Sequence, residues 1–199
     1  SYSSDTQTAC PAGTFNPVNG SSSYSSCIDT SPGYFTPISG MSEEYPCNPG
    51  TYQPLGGQDN CTNSSPGYYV PMNASTTQEP CIAGMYQSNY GRTYCEYPSP
   101  GYYVPTSSSS NQTRAEPGYY ANADDNDTTT SHPCSLGYYQ PYSGQSECIE
   151  ADPGFYVDNN GSLTQIPCIG GTYNTNNGSI SIDNCIDSDG SFSAYQVDA

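Results

Sequence analysis

A Gly-x-aromatic triplet recurs along nearly the whole chain, so any fold for this sequence has to be a repeat. The anchor glycines are Gly13, Gly33, Gly50, Gly67, Gly84, Gly101, Gly118, Gly137, Gly154, Gly171 and Gly190, at successive separations of 20, 17, 17, 17, 17, 17, 19, 17, 17 and 19. Two positions past each stands a ring: Phe15, Phe35, Tyr52, Tyr69, Tyr86, Tyr103, Tyr120, Tyr139, Tyr156, Tyr173 and Phe192. The chain therefore reads as about eleven copies of a 17-residue repeat carrying an aromatic ladder.

Each copy has the chemistry of a turn followed by a very short strand. In six copies Pro precedes the anchor, as in Pro66-Gly67-Tyr68-Tyr69. Pro presets φ at the second position of a type II turn and Gly supplies the positive φ at the third. Six copies also carry Pro four residues after the anchor (Pro17, Pro37, Pro54, Pro71, Pro105 and Pro141), where a missing N–H ends a sheet ladder. The remaining Ser, Thr, Asn, Asp and Gly suit a returning loop, and no helical periodicity is present.

Composition decides what holds such copies together. Leu, Ile, Val and Phe make up only 21 of 199 residues and the net charge is −17, values that alone predict disorder. Against them stand 21 Tyr, 10 Cys, 20 Gly and 18 Pro, which supply flat apolar surface, covalent links and fixed turns. Cysteines even in number and regular in spacing imply a disulfide framework made in an oxidising compartment, which places the protein outside the cell or at its surface.

The cysteines bracket alternate copies in the pattern Cys-x-x-Gly-x-[Tyr/Phe], so a full period is 34 residues. Ten cysteines allow about 945 pairings, and spacing alone does not choose among them. Pairing within each copy, Cys10 with Cys27, Cys47 with Cys61, Cys81 with Cys95, Cys134 with Cys148 and Cys168 with Cys185, is the expectation. An additional Cys-free copy at about 112–133 would otherwise bulge out of a bridge between Cys95 and Cys134. Each such loop stabilises by roughly 3 kcal/mol on the chain-entropy model. The tandem array then occupies residues 10–185, flanked by segments 1–9 and 186–199 that read as partial repeats or inter-subunit segments.

Cys10-Pro11-Ala12-Gly13-Thr14-Phe15, Cys47-Asn48-Pro49-Gly50-Thr51-Tyr52 and Cys168-Ile169-Gly170-Gly171-Thr172-Tyr173 resemble the ephrin-receptor-like cysteine-rich repeats, themselves distantly similar to tumour-necrosis-factor-receptor modules. The resemblance spans roughly residues 10–192 and departs from the family in the alternate copies, which have no cysteine. It implies disulfide-laddered rods of short hairpins in ectodomains and extracellular structural proteins. Sequence and resemblance agree on the expected fold: all-β, small and disulfide-rich, an elongated solenoid-like rod of short β-hairpins with and without a disulfide in alternation.

Candidate sites are dispersed. Asn-x-Ser/Thr sequons occur at Asn19, Asn60, Asn63, Asn73, Asn111, Asn126, Asn160 and Asn177, about twice the number that composition yields by chance. Asn19, Asn73, Asn160 and Asn177 all fall six residues after an anchor, which would hang N-linked glycans from repeating loop positions. Ser107 to Ser110 and Thr128 to Thr130 are candidates for O-linked sugars. Asp124, Asp125, Asp127, Asp187 and Asp189 are weak calcium candidates, since neither cluster has an EF-hand's loop; loop solvation explains them as well.

Several functions are disfavoured. The cations are Arg92 and Arg114 alone, so a nucleic-acid backbone has no partner here. No stretch approaches the roughly 20 apolar residues of a membrane helix. His132 is the one histidine and there is no Lys, leaving little for acid–base or nucleophilic chemistry; no enzyme, cofactor or tightly held metal is expected. The expected function is structural: a glycosylated subunit of an extracellular filament, sheath or appendage that associates head to tail with other copies of itself through incomplete terminal repeats. The alternatives are an adhesion or receptor-type ectodomain binding a protein, glycan or calcium, and an excerpt of a longer repeat chain.

Overall fold

The structure, a computed structural model, describes residues 9–18, 23–122 and 127–188. Repeats are numbered 1 to 10 by their anchors, Gly13 to Gly171, and positions are given as offsets from the anchor; the copy anchored on Gly190 lies outside the described residues. Among the described residues the chain forms nine two-stranded antiparallel sheets, each a hairpin of two-residue strands, and none closes into a barrel. Repeat 3, for example, pairs Thr51–Tyr52 with Thr62–Asn63, and repeat 4 pairs Tyr68–Tyr69 with Glu79–Pro80. Repeat 5 is reduced to a bridge between Tyr86 and Glu96, made by two backbone hydrogen bonds of 2.8 and 2.9 Å.

The turn is the one the Pro-Gly pairs specify. In every described repeat the anchor has φ between 81° and 90°, and the N–H one residue after it donates to the carbonyl three residues back, as from Tyr68 to Ser65 at 3.0 Å. The first strand occupies offsets +1 and +2 and stops before the proline at +4. In the Cys-free repeats 2, 4, 7 and 9 the second strand ends in Pro46, Pro80, Pro133 or Pro167, each opposite an aromatic residue of the first strand. A proline is tolerated because these are edge strands with no further partner on that side.

Strands this short cannot hold themselves, and a backbone mesh between repeats holds them. The anchor N–H donates to the +3 carbonyl of the next repeat, as Gly33 to Gln53 at 2.7 Å. The +3 N–H donates to the +8 carbonyl of the next, as Gln53 to Ser75 at 3.0 Å. The +7 N–H reaches back to the −3 carbonyl of the preceding repeat, as Ala74 to Cys47 at 2.9 Å. Burial follows this mesh with a period of three: offsets −3, 0 and +3 are the buried columns, as in Cys47, Gly50 and Gln53 or Ser64, Gly67 and Val70. The rings at +2 lie beside these columns. They are half-buried from Phe15 to Tyr139, buried at Tyr156 and exposed at Tyr173. Ring pairs among the described residues join Phe35 to Tyr45 and Tyr120 to His132, each within one hairpin.

Two short 3-10 turns, Tyr24–Ser26 and Ile182–Asn184, interrupt the all-β pattern. They lie in the two cysteine loops that span 17 positions instead of 14 and take up the extra residues just before the second cysteine. Sequence periodicity could not show them, because three residues make a single 3-10 turn, with no second turn to repeat the pattern. The described residues divide between two compact bodies. One comprises the residues up to Glu96 together with Ser107–Asn111, the other Tyr97–Thr106 together with those from Gln112 onward.

Candidate functional site

The position just before the second strand is where the two kinds of repeat differ. In repeats 1, 3, 5, 8 and 10 it is a cysteine, bonded to the cysteine at −3, which is buried in all but repeat 10: Cys10–Cys27, Cys47–Cys61, Cys81–Cys95, Cys134–Cys148 and Cys168–Cys185, with Cα atoms 5.6 to 5.8 Å apart. In Cys-free repeats the same position is Glu44, Gln78, Gln112 or Gln165. The side-chain oxygen of each accepts from the backbone N–H at −2, of Ser31, Ser65, Ser99 and Asp152 respectively, at 2.6 to 2.7 Å. A carboxylate or amide thus closes the same loop that a disulfide closes next door. Repeat 7, which is two residues longer, has Ser131 in that place, a side chain too short for such a clamp. Composition and spacing do not reveal these clamps, although the alternation of Cys with Glu or Gln at one position is visible in the sequence.

The +3 column alternates in step. Cys-free repeats place Thr36, Val70, Val104, Ala121 and Val157 there, all buried. Stapled repeats 3, 5 and 8 place Gln53, Gln87 and Gln140, all buried. Each glutamine Nε2 donates to a loop carbonyl seven residues on (Asn60, Tyr94 and Glu147, all 2.9 Å), and each Oε1 accepts from the N–H two residues on, that of Leu55, Asn89 and Tyr142. The amide plugs the disulfide loop and satisfies its backbone. Among the described residues no buried side-chain nitrogen or oxygen lacks a partner.

The candidate modification and metal residues fall as follows. Asn60, Asn63, Asn73, Asn111, Asn160 and Asn177 are exposed; Asn19 and Asn126 lie outside the described residues. Asn73, Asn160 and Asn177 each precede the left-handed +7 residue, and the sequon serines Ser75, Ser162 and Ser179 donate to the +5 carbonyls of Met72, Asn159 and Asn176. Asp124, Asp125 and Asp189 lie outside the described residues. Asp127 accepts from the Thr129 N–H at 3.0 Å and its hydroxyl at 2.6 Å, and these bonds hold its carboxyl below the ordinary Asp range. Asp187 lies in the last strand, opposite Thr172. No group of three or more His, Cys, Asp or Glu side chains converges among the described residues.

Two shallow grooves occupy equivalent places, where a Cys-free repeat meets the following stapled one. The first, about 260 Å³, is lined by Tyr69, Pro80, Ile82, Met85, Tyr94 and Cys95. The second, about 330 Å³, includes Tyr120, Ser135, Tyr138, Glu147 and Cys148. Beside the Tyr69 groove, Glu79 accepts from the Tyr69 hydroxyl and raises its pKa above the ordinary value. His132 packs its ring 5.7 Å from that of Tyr120, and the Arg114 guanidinium lies 5.8 Å from the centre of the Tyr102 ring. No helix among the described residues is long and apolar enough to cross a membrane.

A scan of protein-family models finds no match to the chain, and a search of curated proteins finds none either. The class is therefore set by the fold: a disulfide-stabilised repeat of small β-hairpins, a cysteine-rich repeat module in the general sense. The five disulfides belong to an oxidising, non-cytoplasmic environment.

Proposed function

We propose that the chain is a structural glycoprotein subunit of an extracellular filament, sheath or appendage, not an enzyme, and that copies associate head to tail. The supporting observation is the mesh itself: the bonds that join repeat 2 to 3 also join 3 to 4 and 8 to 9, so the chain's main recurring chemistry is the addition of one more repeat. Buried positions go to closures and backbone partners, and the exposed sequon asparagines decorate the loops. Glycans there would shield an acidic surface poor in charge partners. Kinship with the ephrin-receptor-like repeats, on this reading, is a shared extracellular construction. Electron microscopy of the purified glycoprotein is the test: filaments or linear multimers are expected, and uniform monomers at high concentration would sink the reading.

The Tyr69 groove favours a second reading, an adhesion ectodomain. Its apolar lining, with Ile82 and Tyr94 both more than half exposed, suits a protein or glycan ligand. Saturable binding by monomeric chain, abolished by Tyr94→Ala and Ile82→Ser, would support it over the first.

A further inference from the structure

Three of the sequons are themselves turns that fasten one repeat to another. In Asn73-Ala74-Ser75, Asn160-Gly161-Ser162 and Asn177-Gly178-Ser179 the asparagine stands at +6, a left-handed residue at +7 and the sequon serine at +8. The +7 N–H donates to the −3 carbonyl of the preceding repeat: Ala74 to Cys47 at 2.9 Å, Gly161 to Cys134 at 2.8 Å and Gly178 to Ala151 at 2.8 Å. The +8 carbonyl accepts from that repeat's +3 N–H: Ser75 from Gln53 at 3.0 Å, Ser162 from Gln140 at 3.0 Å and Ser179 from Val157 at 2.9 Å. The serine hydroxyl closes the turn on the +5 carbonyl, at 2.8, 2.7 and 3.2 Å in the same order.

The +7 carbonyls are packed as well. The oxygens of Ala74, Gly161 and Gly178 sit over the anchors Gly33, Gly118 and Gly137, two repeats back, so close that a Cβ built on each anchor would fall under 3.0 Å from them. Every one of these partners precedes its sequon in the chain. The asparagines themselves are exposed, whereas the two residues after each are half-buried or buried. A finished glycan therefore fits the folded array. Attaching one requires the tripeptide, which the mesh already holds.

We infer that Asn73, Asn160 and Asn177 accept N-linked glycans only before their turns dock on the preceding repeat, so that folding ends the modification and fixes each copy's glycan pattern. This rests on the glycoprotein reading above and adds an order of events to it. N-linked transfer reads the hydroxyl two residues past the asparagine, so that hydroxyl and the backbone between have to leave the mesh and enter the enzyme. The transfer joins the carboxamide nitrogen to the anomeric carbon of a lipid-linked oligosaccharide, breaks that carbon's bond to the donor's diphosphate and releases one amide proton. In the folded array it requires breaking the two backbone bonds and the serine bond at each sequon first. Because the partners lie upstream, each site is open only from its synthesis until it docks on repeats already made.

The test uses the full chain with an Asn-Gly-Thr tail added as an internal control, made in a host without N-linked transfer and exported to an oxidising compartment. One sample keeps its five disulfides and the other is reduced and held unfolded. Each is incubated with purified oligosaccharyltransferase and lipid-linked oligosaccharide, and occupancy is read at each asparagine by glycopeptide mass spectrometry. With the tail modified alike in both, the reduced chain should carry about tenfold more glycan, or more, at Asn73, Asn160 and Asn177, because transfer to the folded chain is confined to its locally opened fraction. Equal occupancy in the two samples would overturn the inference and leave the glycoprotein reading standing. Modification of the tail alone in both samples would overturn the two together. Reduced chain carrying glycans at all three sites should regain its five disulfides on reoxidation as fully as unmodified chain refolded in parallel. Failure of the glycosylated chain alone to do so would contradict glycan addition before docking.

Discussion

Repeats 3 and 4 lie side by side with the same turn, the same two-residue strands and the same inter-repeat bonds, yet one is closed by Cys47–Cys61 and the other by the Gln78 side chain on the Ser65 N–H. The backbone is indifferent to which closure it receives. A disulfide removes entropy from the unfolded loop, whereas the amide only satisfies a part-buried donor. Covalent closure at alternate positions suffices because every Cys-free repeat is bonded through its backbone to a neighbour that has one.

If the two kinds of repeat share one architecture, the anchor should matter equally in both. Gly118→Ala in a Cys-free repeat and Gly137→Ala in a stapled one each set a Cβ against a carbonyl and strain a positive φ. Together these cost about 3 kcal/mol or more, and thermal unfolding should show similar losses for both. Unequal losses would break the comparison.

The closures should separate the two kinds. Replacing Cys81 and Cys95 together by Ala removes a 14-position loop closure and should cost about 3 kcal/mol. Gln78→Ala should cost only about 1 kcal/mol, both read by denaturant titration. Between these lies Gln87→Leu, which strands the Tyr94 carbonyl and the Asn89 N–H inside a stapled loop and should cost about 1–3 kcal/mol. At the small end, Ala74→Gly relieves a left-handed alanine at φ 55° and should stabilise by about 1 kcal/mol, measured as a rise in Tm.

Much of this architecture was legible in the sequence. The triplet spacing specified the repeat, Pro-Gly specified the type II turn, and the cysteine phase separated two kinds of copy. The buried columns were harder to read because −3, 0 and +3 mix Cys and Val with Thr, Ser, Ala, Gly, Gln, Asn and Pro, so no run of large apolar residues marks them. The rings drew attention as the obvious apolar surface, but a residue at +2 of so short a hairpin points beside the mesh. The glutamines Gln53, Gln87 and Gln140 look like ordinary loop residues until the backbone groups they satisfy are located.

The central claim is that one position, just before the second strand, is closed interchangeably by a disulfide or by an amide. The double variant Ala151→Cys/Gln165→Cys tests it in repeat 9, whose Ala151 is buried at −3 and whose Gln165 now clamps the Asp152 N–H. The account predicts a sixth disulfide, seen as the loss of two hydrogens in the intact mass and as a cross-linked peptide joining the two substituted positions, with stability raised by about 2 kcal/mol. Two free thiols in a folded chain would contradict it.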